Sequence, residues 1–101
     1  MAELLKTLKE LIKSDEKTIA KIIHLATGFT HPARIEAYRK IAADSGSMDQ
    51  LMIALKLSSP AVARHLKKLL ARGYIAATHH RYEVARHSDA VGRALAEMAL
   101  R

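Results

Sequence analysis

A mainly α-helical fold with one short β-hairpin late in the chain is what these 101 residues predict, and three observations predict it. Apolar residues recur at three- and four-residue spacing through six separate segments, each opened or closed by a capping residue, Pro or Gly. The spacing switches to alternation only after Gly73, over Tyr74-Ile75-Ala76-Ala77-Thr78 and Arg81-Tyr82-Glu83-Val84. The most heavily charged segment is also the best-defined helix.

Leu4, Leu5, Leu8, Leu11 and Ile12 form the stripe of a first amphipathic helix, with Lys6, Lys9, Glu10 and Lys13 outside it. Ser14 caps a second. Its first turn carries Asp15 and Glu16, which complement the helix dipole, and Ile19, Ile22, Ile23 and Ala26 continue its stripe to Gly28. A third helix starts near His31-Pro32, runs through Ile35, Tyr38 and Ile41, and stops around Asp44-Ser45-Gly46. Ser47 and Gln50 make a capping box for a short fourth helix bearing Leu51, Met52 and Leu55.

After the tight connection Lys56-Leu57, Ser58 caps a fifth helix, Pro60 fits its first turn, and Gly73 offers a left-handed stop. At about 100° per residue, Val62, Leu66, Leu69 and Leu70 share one face, while Ala61, Arg64, Lys67 and Lys68 point the other way. A short helix, a tight turn and a longer basic helix make a helix-turn-helix, with the first helix bracing the second. The two strands that follow flank His79-His80 without an Asn-Gly or Gly-Gly turn, so the pattern leaves their register open. Ser88 then caps a last helix with Asp89 in its first turn, along which Val91, Ala94, Leu95 and Met98 line one side.

The net charge is +7, and it is unevenly placed. Residues 58–87 carry +5, residues 1–57 carry +2, and residues 88–101 are neutral. The basic footprint therefore coincides with the fifth helix and the hairpin, as expected of a surface that displaces counterions from phosphates. A chain that is 50% hydrophobic reads as folded rather than disordered. No apolar run reaches the ~20 residues of a membrane span and no secretory signal opens the sequence, so a soluble, cytoplasmic protein is expected. The absence of cysteine excludes disulfides and thiolate metal sites.

These residues resemble the arsenic-repressor (ArsR) type of winged helix-turn-helix regulators over roughly residues 29–87. His31-Pro32-Ala33-Arg34-Ile35 is similar to the His-Pro-x-Arg-aliphatic opening of that family's first core helix. Gly46-Ser47-Met48-Asp49-Gln50-Leu51 is similar to its support helix, and Leu57-Ser58-Ser59-Pro60-Ala61-Val62-Ala63-Arg64-His65-Leu66 to its recognition helix. The resemblance implies a homodimeric DNA-binding repressor whose terminal helices form the dimer interface. The expected organisation is a single domain over 1–101: N-terminal dimerisation helices in 1–28, a DNA-binding core in 29–87 and a C-terminal helix in 88–101.

The departures are specific. Metal sensors of the family place Cys-x-Cys on the support helix, where this chain has Met48-Asp49-Gln50-Leu51-Met52-Ile53. Their zinc branch uses Asp and His on the final helix; this chain has His87, Asp89 and Glu97, but Val91 where a histidine is wanted. No metal and no cofactor are expected. No Gly-x-Ser-x-Gly elbow or phosphate-cradling loop points to an enzyme.

The sequence thus predicts a protein that binds double-stranded DNA. Arg64 is the candidate for base-edge readout, with Ser59 and Ala61 bordering the groove floor. Lys67, Lys68, Arg72 and Arg81 are candidate phosphate contacts, assisted by the helix start at Ser58 and Ser59. His65 flanks the leucine face and either meets a phosphate or packs internally; His79 and His80 sit at the hairpin turn. Leu8, Leu11, Ile12, Ile19, Ile23, Leu95 and Met98 are candidate dimer contacts, because a core this small cannot cover every apolar stripe. Two other functions fit the same features: an architectural DNA binder without an operator, and a winged-helix adaptor for another protein.

Overall fold

Tyr38, Ile41, Leu51, Val62, Leu66, Leu69 and Tyr74, each 2% exposed or less, meet in one core, and every element after residue 29 contributes to it or is tied to it. The computed structural model describes residues 3, 6, 16–44 and 46–101. Of the first predicted helix, Leu4, Leu5, Leu8, Leu11 and Ile12 lie outside the described residues. So does the Ser14 cap.

The described elements run α1 (Glu16–Ala26), a 3-10 turn (Thr27–Phe29), α2 (Pro32–Asp44), α3 (Met48–Leu55), α4 (Ser59–Ala71), β1 (Ile75–Thr78), β2 (Arg81–Val84) and α5 (Ala90–Ala99). Helix α2 is central: it packs against α3, α4, β2 and α5, while α1 packs against α5. At its start the backbone carbonyl and ring Nδ1 of His31 accept first-turn N–H groups, the ring from Ala33 at 3.1 Å. Farther along, Arg39 Nε donates to Ala99 O at 2.7 Å and so satisfies a carbonyl at the C-terminal end of α5.

The capping box forms as the sequence requires, Gln50 N–H donating to Ser47 Oγ at 3.3 Å and Ser47 N–H to Gln50 Oε1 at 3.2 Å. Lys56 ends α3 in a left-handed conformation with φ 55, a position that costs a residue with a Cβ about 1 kcal/mol. It turns the chain within three residues to the next cap. Ser58 Oγ accepts from Ala61 N–H at 3.4 Å, and Gly73, at φ +81, provides the left-handed exit from α4.

The hairpin register, open in the sequence, pairs Ile75 with Val84 and Thr78 with Arg81. His79 and His80 make the connection, both at positive φ, as a two-residue primed turn demands. An Asn or Gly would adopt those angles at less cost. The hairpin is tied to the α2–α3 connection by Tyr82 N–H donating to Gly46 O at 3.0 Å and by a bridge between Ser47 and Arg81.

Tyr74 fills the middle. Its ring lies 4.4 Å from Phe29 and 6.3 Å from Tyr38, and its hydroxyl donates to Leu25 O at 2.9 Å. Burial pushes that hydroxyl's pKa up, so the group acts only as a neutral donor. Across the ring sits His87, whose Nε2 is 2.7 Å from Arg72 O and whose Nδ1 accepts Asp89 N–H at 3.0 Å. These partners assign the hydrogen to Nε2. Gly92 makes room for the ring: a Cβ there would meet His87 Cγ at 2.3 Å.

The last helix starts one residue later than the sequence suggests. Asp89, not Ser88, is its N-cap, with Oδ1 accepting from Val91 N–H at 2.8 Å and Oδ2 paired with Lys21 of α1. Lys21 holds the Asp89 carboxyl below its ordinary value, against the opposing effect of burial. A depressed carboxyl contributes stability that is present above the unfolded value and lost as pH falls through the folded one. Asp89→Ala is therefore expected to cost about 1–2 kcal/mol at neutral pH, mostly as a lost cap. Urea unfolding at neutral pH and below about pH 4 checks this: the gap to the parent protein should close in acid.

Candidate nucleic-acid interface

Helix α4 has two unlike sides. Val62, Leu66 and Leu69 are 0–1% exposed against α2, α3 and β1, whereas Ala63, Arg64, Lys67 and Lys68 are exposed. The pattern follows from a 100° step: with leucines at spacings of three and four facing inward, residues 64, 67 and 68 have to face out. Leu70 departs from the sequence reading. It sits about 75° from the centre of the buried stripe by the same step and remains 37% exposed, because the core covers the narrower face around Leu66 and Leu69.

Ser58 and Ser59 are exposed at the N-terminal end of α4 and Ala61 is half-buried. Small residues beside Arg64 let a groove wall approach the helix backbone. Around the flank nearest α2, the structure gathers His31, Arg34, Arg64, His65 and Lys68 about one cleft. His65 packs, its ring centroid 4.6 Å from that of His31. Its burial and the neighbouring charges of His31, Arg34, Arg64 and Lys68 hold its pKa below the ordinary value.

Arg72 does not join the exposed cations. Its Nε donates to His24 O at 2.9 Å and to Thr27 Oγ1 at 2.7 Å, so it fastens the end of α4 to the end of α1. The sequence marks it as basic but cannot show that α1 ends beside it, with His24 O within reach of both Arg72 and the Thr27 hydroxyl. His79, His80 and Arg81 are exposed in the hairpin, and Arg81 Nη2 also donates to Asp44 O at 3.0 Å. His87 and Asp89 are both occupied by structural bonds, as described above. Among the described residues no group of three or more His, Asp or Glu is placed to hold a metal ion.

Arg34 enters the sequence reading only as part of the His-Pro-x-Arg-aliphatic opening, with no role at the site, yet it is 6% exposed in this cationic surrounding. A signal exists: Arg34 lies three, four and seven residues before Ala37, Tyr38 and Ile41, all buried, and so shares their face.

The sequence pattern described as bacterial regulatory protein, arsR family, matches residues 31–77. That span holds α2, α3, α4 and all but the last residue of the first strand. Over these residues the chain is similar to the arsR family. HlyU from Vibrio cholerae N16961 superposes with a TM-score of 0.67 at 22% identity, over 83% of this chain and 92% of that one. The structure titled reduced HlyU from the same organism gives 0.64 at 22% identity, over 82% and 88%. At this identity the likeness shows the winged-helix fold. No curated protein sequence matches the chain. The helix-turn-helix and its exposed cations are those of a DNA-binding transcriptional regulator, and among the described residues no helix is long and apolar enough to cross a membrane.

Proposed function

We propose that this ArsR-type protein is a cytoplasmic homodimeric repressor that recognises a specific double-stranded operator. The observation that carries the reading is the division of α4 into a fixed apolar underside and an exposed strip of Arg64, Lys67 and Lys68. Such a helix enters a major groove without disturbing the core. Arg64 is the base-reading residue, and Lys67 and Lys68 set the register on phosphates. Ser58, Ser59 and the exposed hairpin residues His79, His80 and Arg81 border the duplex.

Dimerisation has its own support. Ile19 and Ile23 on α1 are 39% and 60% exposed, and α1 packs on α5, where Leu95 and Met98 are half-buried. A second copy placed over this face removes apolar surface from water and positions two α4 helices for successive major grooves about 34 Å apart. Leu8, Leu11 and Ile12, expected from the sequence at the same contact, lie outside the described residues.

Arg64→Ala is expected to cost about 1–3 kcal/mol on the preferred duplex and to blur sequence preference. Lys68→Ala should weaken all duplexes alike and lower the salt slope by about one. Fluorescence anisotropy on preferred and random duplexes at several salt concentrations measures both. Equal loss on the two duplexes for Arg64→Ala contradicts its assigned role.

Ile23→Glu tests the dimer, since it places a charge on an exposed apolar position without touching the core. The parent protein should sediment as a dimer at micromolar concentration and the variant as a monomer. A monomeric parent protein contradicts this part of the proposal.

A further inference from the structure

The cleft between the start of α2 and the middle of α4 has a volume of about 310 Å³ and is lined by His31, Arg34, Arg64, His65 and Lys68. Three of these side chains are cations, two are imidazoles, and among the described residues no carboxylate lines the cleft. Arg64 and Lys68 form an exposed rim; His65 is half-buried; Arg34 lies beneath, 6% exposed.

Arg34 is the anomaly. Its Nη2 donates to Thr30 Oγ1 at 3.3 Å, a neutral acceptor. Its Nε–H is shut off from solvent with no acceptor among the described residues. A guanidinium stays charged when buried, and a buried charge is tolerated when it is paired. Burial, and then the charge of Arg72, act against its protonated form, and His65 feels Arg34 as a repelling charge. Among the described residues such a group has no counter-anion, and the described walls of the cleft supply none.

We propose that this cleft is a phosphate-binding site, filled in the protein–DNA complex by a backbone phosphodiester of the duplex that α4 reads; its occupant therefore rests on the function proposed above. The chemistry matches. A guanidinium donates in a fork to two oxygens of one phosphate, Lys68 closes over it as a mobile charge, His31, whose Nδ1 accepts from Ala33 N–H, offers its Nε2–H, and His65 adds a donor when protonated. An anion among these groups also reverses the field that disfavours the charged form of His65. The groups facing His65 are His31 and Arg34 on the α2 side, and Arg64 and Lys68 on its own helix. Phosphate binding is thus coupled to proton uptake at His65 and tightens as pH falls.

Two measurements on the full chain test the site and its occupant separately. The first follows the imidazole NMR signals during titration with inorganic phosphate against chloride at equal ionic strength. The expected result is saturable movement of the His31 and His65 signals, with His79 and His80 in the exposed hairpin turn unmoved, and loss of that movement in Arg34→Gln. Uniform small drift in all histidines overturns the site. The second compares duplex affinity of the parent and Arg34→Gln. About tenfold weaker binding to every duplex, with a salt slope lower by about one, is expected from losing one charge-assisted phosphate contact.

If phosphate moves the two histidines but Arg34→Gln binds DNA normally, the cleft holds a free phosphorylated ligand and the duplex assignment is overturned. If the parent protein binds no duplex, the function proposed above fails and the phosphate titration alone decides the site. Should Arg34→Gln not fold, Lys68→Ala, altered at the exposed rim, takes its place in the phosphate titration with the same expected loss.

Discussion

The burial of Val62, Leu66 and Leu69 beneath α4 is the interaction on which the rest of the structure depends. These side chains are 0–1% exposed, and they fix the helix in azimuth as well as in place. A helix anchored along one stripe cannot rotate to bury Arg64, Lys67 or Lys68, each of which would lose its hydration without gaining a carboxylate. Tyr74 secures the end of that anchorage, with its ring against Phe29 and Tyr38 and its hydroxyl on Leu25 O. The exposed basic strip is therefore a consequence of the core.

The two ends of α4 are held by different chemistry. Ser58 satisfies an N–H at the start, while Arg72 carries the far end across to α1 and His87 accepts the load from below through its bond to Arg72 O. His87 in turn sets the Asp89 cap and requires Gly92 in the last helix. One chain of contacts thus runs from α4, the helix proposed to read DNA, to α1 and α5, the elements proposed to meet a second copy. Cations that look alike in the sequence are divided by the fold into exposed ones, a half-buried fastener at Arg72 and a buried guanidinium at Arg34 with no counter-anion among the described residues.

What was legible in the sequence was local. The capping box at Ser47 and Gln50, the Ser58 cap, the Gly73 exit and the helix stripes all declare themselves through residues a few positions apart, and the structure has them where that pattern puts them. The switch to alternation after Gly73 marked the two strands in the same local way. What was not legible depends on distant neighbours. Leu70 is exposed because of how wide a face the core covers, and the last helix starts at Asp89 because His87 takes the preceding turn. The hairpin register rests on two histidines in left-handed angles, which no turn signal announces. Arg72 and Arg34 read as two more basic residues until α1 and α4 are seen to pass beside them.

Selection of bound sites from a random duplex pool at two salt concentrations tests the central claim most directly, since it asks whether the strip beside Arg64 reads sequence or only charge. The account predicts enrichment of a two-fold-symmetric motif that survives at the higher salt, with half-sites about one helical turn apart. A pool that emerges unenriched, with binding that simply fades as salt rises, contradicts it.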